Sequence, residues 1–225
     1  MKKYELTAEF TEKWGKKLFR IKALISFGSV EAGELGGYVG KEDNLAQDGD
    51  AWVYGDAWVC GNARVYGNAR VYGNAEVFGN AEVCGNARVY GNAEVYGDAE
   101  VYGDAEVYGD ARVFGEARVC GDAEVCGNAR VYGNAEVFGN ADYLLIGRIG
   151  RRFSFTTFFK NKDKGITVSC GCFLGTIAEF RAKVTDTHGN NKHAKMYNLA
   201  ADMAELQILG EEHFDKLNTN KSEPF

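Results

Sequence analysis

The sequence predicts a β-solenoid with three six-residue repeats per coil, each a short strand and a corner, followed by a small α+β domain. Three observations carry this. From Gly49 to Gly139 sixteen hexads begin in unbroken succession, fifteen of them complete, with the consensus G-[N/D]-A-x-V-[Y/F/C]. The charge changes where that pattern ends. Residues 49–142 hold six Arg, no Lys and fifteen acidic side chains, whereas residues 143–225 are net +3 and residues 1–48 are balanced. Beyond Asn140 the period of six gives way to short apolar runs and then to helical spacing. The division is therefore 1–48, an N-terminal capping segment; 49–142, the repeats; 143–210, the α+β domain; and 211–225, a polar tail.

Within "A-x-V-Y" the chain alternates, so Ala and Val share one side while x and the aromatic share the other. Position x is Arg, Glu, Trp or Asp and is expected to face water, which leaves Ala and Val for a core. Gly followed by Asn or Asp is a corner, because these residues tolerate positive φ. A two-residue apolar stripe cannot hold a strand alone. It can where coils stack, Val on Val and Ala on Ala. Three hexads, eighteen residues, close one triangular coil. Five coils at ~4.8 Å spacing make a solenoid roughly 25 Å long.

Stacking at eighteen residues predicts the outer faces. Trp52, Arg70, Arg88, Glu106, Glu124 and Asp142 fall on the first. Trp58, Glu76, Glu94, Arg112 and Arg130 fall on the second, and Arg64, Glu82, Glu100, Arg118 and Glu136 on the third. Beside them run aromatic ladders: Tyr54, Tyr72, Tyr90 and Tyr108 on the first face, and Phe78, Tyr96, Phe114 and Tyr132 on the second. These eight rings either cover backbone by stacking on one another or form an interface between copies. Cys84 and Cys120 share a face but lie two coils apart, too far for a disulfide, while Cys60 and Cys126 fall on the other two faces. All four read as small apolar fillers. Corners Asp98, Asp104, Asp110, Glu116 and Asp122 form an acidic band, read first as solvated charge. A weak calcium site or a nucleic-acid mimic are the alternatives; Arg112 and Arg118 argue against the mimic.

Read from valine, V-[Y/F/C]-G-[N/D]-A-x resembles the hexapeptide repeat of left-handed parallel β-helix proteins over Gly49–Asn140. The handedness is implied by that resemblance alone. So is a homotrimer, the assembly favoured for the ladders. The lead-in Phe27–Ala57 resembles that of bacterial hexapeptide-repeat proteins of unassigned activity. Well-known relatives are acyltransferases, which use a His base, and γ-class carbonic anhydrases, which hold a metal with three His. The repeats here contain no His; His188, His193 and His213 all follow them. Catalysis by the solenoid is not expected, and neither is a cofactor.

The C-terminal domain predicts strands at Tyr143–Ile146, Phe153–Phe159 and Ile166–Phe173, with Lys160–Gly165 as a hairpin loop. A helix follows, capped by Thr176 and Glu179, with Ile177, Phe180 and Val184 inward and Gly189 at its end. A second, from about Asn191 to Leu209, carries an apolar stripe of Met196, Leu199, Ala200, Met203 and Leu206. Arg148, Arg151, Arg152 and Lys160, with Thr156 and Thr157 among glycines, suit an anion such as phosphate. Solvated charge on a hairpin is the plainer reading. Cys170 and Cys172 with His188 and His193 lack a second Cys pair, so no metal site is assigned. Over about Leu144–Leu206 the domain resembles short C-terminal domains of phage and prophage hexapeptide-repeat proteins. That resemblance implies a phage or prophage origin and a setting of counter-defence.

Three readings of function remain. The first is a non-catalytic binding protein: a rigid oligomerising scaffold with a module for a nucleotide, another phosphate-bearing ligand or a host protein. The second is an acyltransferase-like enzyme with a site between subunits using His188 or His193. The third is a purely structural solenoid. No apolar run reaches the ~20 residues that span a bilayer and no secretory h-region is visible, so a membrane is not expected as partner. Nucleic acid is not expected as partner either. The cytoplasm of a bacterial host is the expected location.

Overall fold

A computed structural model describes residues 1–212; the rest of the polar tail, with His213, lies outside the described residues. Two long antiparallel strands, β1 (Tyr4–Lys13) and β2 (Lys16–Ala23), open the chain, and β3 (Leu35–Val39) pairs antiparallel with β2. Fifteen short strands follow, one every six residues from β4 (Trp52–Val53) to β18 (Glu136–Val137). They stack as three parallel sheets, one of which is continued by β3, β2 and β1. Val71 lies beside Val89 and Val89 beside Val107, so the circuit is eighteen residues. The solenoid makes about six turns.

The physical basis is the one the hexad dictates. Every Ala and Val of the repeat, from Ala51 to Val137, is fully buried. Strand amides bond the coil beyond, as in Arg88 N to Ala105 O (2.9 Å), and corner amides do the same, as in Asn92 N to Gly109 O (2.8 Å). Gly91 shows why the corner needs glycine. Its φ is +73°, and an added Cβ would stand 2.9 Å from the Gly109 nitrogen of the next coil.

Two further rungs precede the first sequence hexad. Val39 pairs with Val59 and Leu45 bridges Val65, both at an offset of twenty. Two extra residues between Leu45 and Val53 hide this rung from a strict period of six. The hairpin above it corrects one expectation: Trp52 and Trp58 do not face water but are 0% and 2% exposed. Trp52 lies edge-on to Tyr4 (6.0 Å) and Phe27 (5.4 Å), and Trp58 meets Trp14 (4.9 Å). The capping segment thus continues one sheet and buries the first two outward side chains.

At the other end β19 (Tyr143–Ile149), β20 (Ser154–Lys160), β21 (Ile166–Cys170) and β22 (Phe173–Thr176) form an antiparallel meander. The expected third strand is split at Gly171 (φ +61°), where the chain turns back. One face of this sheet closes the solenoid. Phe159 is fully buried against the solenoid core, and Lys162 N bonds Asn134 O (3.2 Å). The other face carries α1 (Ile177–His188) and α2 (Lys192–Leu209), packed on Phe158, Ile166 and Val168.

The capping box forms as the sequence predicts: Thr176 N donates to Glu179 Oε2 (2.8 Å), and Thr176 Oγ1 accepts from Glu179 N (3.3 Å). Asn191 caps α2 by accepting from His193 N (2.8 Å) and Ala194 N (3.2 Å). Arg181 of α1 holds Asp202 and Glu205 of α2, each at 2.7 Å. The expected apolar stripe of α2 is corrected. Tyr197, Ala201, Ala204 and Ile208 are buried, and of the expected set only Ala200 joins them, while Met196, Leu199, Met203 and Leu206 face out. The alanines win because they let the helix lie close on the sheet.

Candidate functional site

Both ladders form. Tyr72, Tyr90 and Tyr108 stack at 4.7 and 4.9 Å, and Phe78, Tyr96, Phe114 and Tyr132 at 4.8, 4.8 and 4.5 Å, with ring planes within 8°. Tyr54 does not join the first stack; its hydroxyl meets Ser29 Oγ (3.2 Å) under the lead-in. All these rings are half-buried. The first ladder is also tied to charge, as Tyr90 donates to Glu106 (2.8 Å) and Tyr108 to Glu124 (3.2 Å). Burial and the Glu106 charge raise the Tyr90 phenol well above its ordinary range. Cys84 and Cys120 alternate with Tyr66 and Tyr102 along the third face, and all six cysteines of the chain are free. Beside the rings, Arg88–Glu106 (3.1 Å), Arg112–Glu94 (2.9 Å) and Arg118–Glu100 (3.1 Å) bridge neighbouring coils.

The acidic band has a structural partner. Asn68 Nδ2 donates to Asn86 Oδ1 (3.0 Å), and Asn86 Nδ2 donates to Asp104 Oδ1 (2.8 Å). Asn80 to Asp98 (2.8 Å) and Asn92 to Asp110 (3.0 Å) repeat this on the other corners. A carboxylate accepts but cannot pass a hydrogen on, so each corner ladder of amides ends at its acid. Among the described residues no three His, Cys, Asp or Glu gather as metal ligands.

The six residues expected to bind an anion are not brought together. Arg148, Arg151 and Arg152 are exposed around the β19–β20 turn, where Arg148 (φ +53°), Gly150 and Phe153 take left-handed backbone. Gly150 is buried against the Tyr197 hydroxyl, where any Cβ would collide. Lys160 is bound by Asp142 (2.8 Å). Thr156 and Thr157 are both buried but face opposite ways, as alternation along β20 requires. Thr156 donates to Cys170 Sγ (3.2 Å) on the helix side, and Thr157 faces the solenoid.

Thr157 leads to a site the sequence reading missed. Where β20 and β21 lean over the second solenoid face they enclose a groove of about 530 Å³. Its basic wall is Arg112 and Arg130, adjacent in parallel register. Arg112 is held by Glu94; among the described residues Arg130 has no carboxylate within ion-pair distance. The facing wall carries Ser154, Thr157 and Ser169, the last two only 2% and 4% exposed. Thr157 Oγ1 accepts from Arg130 N (3.1 Å), which leaves its own hydrogen free to donate into the groove. Asn92 and Asp110 close the far end. Nothing local marks Arg130 among six similar arginines; only the capping sheet makes it special.

His188 and His193 lie on the helix side of the sheet, away from this groove. Their rings are 5.8 Å apart, and His188 stacks on Tyr197 (5.7 Å). Among the described residues His193 Nδ1 is buried without a hydrogen-bond partner. Burial raises the Tyr197 phenol to about 12.

Among the described residues no helix is long and apolar enough to cross a membrane. No curated protein matches the chain. The family model described as YdcK Beta solenoid repeat matches residues 57–71, 63–79 and 81–97, inside the stacked coils. Over these residues the hexads are similar to the YdcK β-solenoid repeat.

Proposed function

We propose that the chain is a non-catalytic binding protein whose groove between solenoid and terminal sheet takes a small phosphate-bearing ligand. The observation that carries this is Arg130. Among the described residues its guanidinium has no carboxylate partner, and it adjoins Arg112 and faces buried hydroxyls of Thr157 and Ser169 able to donate. Guanidinium groups with convergent hydroxyls are the usual donors to a phosphoryl group. The solenoid supplies a stiff wall and the terminal sheet supplies the hydroxyls. Arg151 and Arg152, separated from Ser154 by Phe153, add positive charge to the same hairpin. The phage setting implied by the domain's resemblance would make a nucleotide signal the ligand to sequester.

A thermal-shift panel of inorganic phosphate, pyrophosphate and mono-, di- and cyclic nucleotides tests this. The native protein is expected to be stabilised by at least one member, the Arg130→Ala variant not, and the Arg148→Ala/Arg151→Ala/Arg152→Ala variant still. No stabilisation by any member overturns the reading. So does stabilisation that survives Arg130→Ala but fails in the triple variant, which would put the site on the hairpin.

A further inference from the structure

Twelve large apolar side chains are exposed among the described residues, and four of them lie on one face of α2. Met196, Leu199, Met203 and Leu206 are 40%, 63%, 57% and 45% exposed. At roughly 100 Å² each they make a patch of about 400 Å², within the size range of the largest apolar patch on a monomer, which is often functional. The aromatic ladders are a weaker candidate, since their rings are half-buried against one another.

The spacing identifies what covers the patch. Steps of three, four and three residues place the four side chains at successive a and d positions of a heptad, the pattern that packs against another helix. A groove for an extended strand or a small ligand would not need it. The stripe is also complementary to itself. An antiparallel copy about a twofold axis sets Met196 opposite Leu206 of the second copy and Leu199 opposite Met203. Every layer then pairs a thioether with a leucine.

The flanks permit this approach. Ala200 on one side is small and buried. Asp202 on the other comes near its own symmetry mate, but its charge is already met by Arg181 at 2.7 Å. About 400 Å² of apolar surface per copy, with the polar rim such contacts carry, approaches the ~800 Å² per partner of a standard interface.

We infer that two copies of this chain associate through α2, helix against helix and antiparallel, and not through the solenoid ladders. Sedimentation equilibrium tests this on the full chain and three variants. The native protein is expected to be a dimer. Leu199→Glu/Met203→Glu is expected to raise the dissociation constant at least a hundredfold with little change in Tm, because both positions are exposed. Leu199→Glu/Met203→Lys is expected to restore the dimer, since the antiparallel pairing sets each new acid against a new base. Tyr96→Ala leaves the dimer intact. A native monomer overturns the inference, as does a trimer, or a dimer indifferent to the two-glutamate change. A dimer lost in both α2 variants overturns the antiparallel arrangement.

Discussion

Phe159 of the terminal sheet stands 6.1 Å from Tyr132, the last ring of the second aromatic ladder. The column therefore runs from Trp58 through Phe78, Tyr96, Phe114 and Tyr132 and ends on a ring that belongs to another module. Phe159 also reaches the Ala and Val core, so one side chain seals the ladder and the last coil. Phe159→Ala should cost about 3–5 kcal/mol, the usual price of emptying a buried phenylalanine site. Limited proteolysis should then cut between the solenoid and the terminal sheet before either is degraded. Unchanged Tm with simultaneous digestion of both would show that the sheet does not act as a lid.

Lys3 is 2% exposed, and its ammonium donates to the carbonyls of Asp48 (3.2 Å), Gly49 (3.2 Å) and Ala51 (3.0 Å). Burial lowers it to about 8, partly offset by Asp48 and Asp50. Between there and the ordinary lysine value of 10.5 the folded state holds fewer protons than the unfolded one, so stability rises with pH across that window. Lys3→Met should abolish this rise and, by leaving three carbonyls without their donor, cost about 1–3 kcal/mol at pH 7. Denaturant midpoints measured from pH 7 to 11 would reveal both effects. A rise that persists in the variant would assign it to another group.

Glu76 and Glu94 stand side by side in parallel register. Burial first, and then the Glu94 charge, raises the Glu76 carboxyl above its ordinary range. A raised acid means the folded state binds protons more readily, so stability falls as pH climbs through the Glu76 transition. Glu76→Gln should therefore stabilise at pH 7, by about 1–2 °C in Tm for a few tenths of a kcal/mol, and lose its advantage below about pH 4. An equal gain at pH 3.5 would mean that packing and not charge is responsible.

The coil was legible because each hexad states its own geometry: Ala and Val in, charge out, Gly at the corner. What escaped depended on chain far away in sequence. Trp52 occupies the same position as Arg70 and reads as outward until Tyr4 and Phe27 are folded over it. On α2 two stripes compete, and hydropathy favours the larger Met and Leu while packing on a sheet favours Ala. The groove escaped for a third reason. Arg130 lies in the repeat and Ser169 in the terminal sheet, so no local pattern could join them, and alternation along β20 separated Thr156 from the Thr157 beside it.

A closed circuit of eighteen residues also makes molecular length a free variable. Removing or duplicating one whole turn would leave every valine above a valine and move the two ends by a single strand spacing, ~4.8 Å. The tryptophan-covered beginning and the groove-bearing end use different turns. Natural variants could therefore grow or shorten in unit steps, like a stack of gauge blocks, without disturbing what is mounted at either extremity.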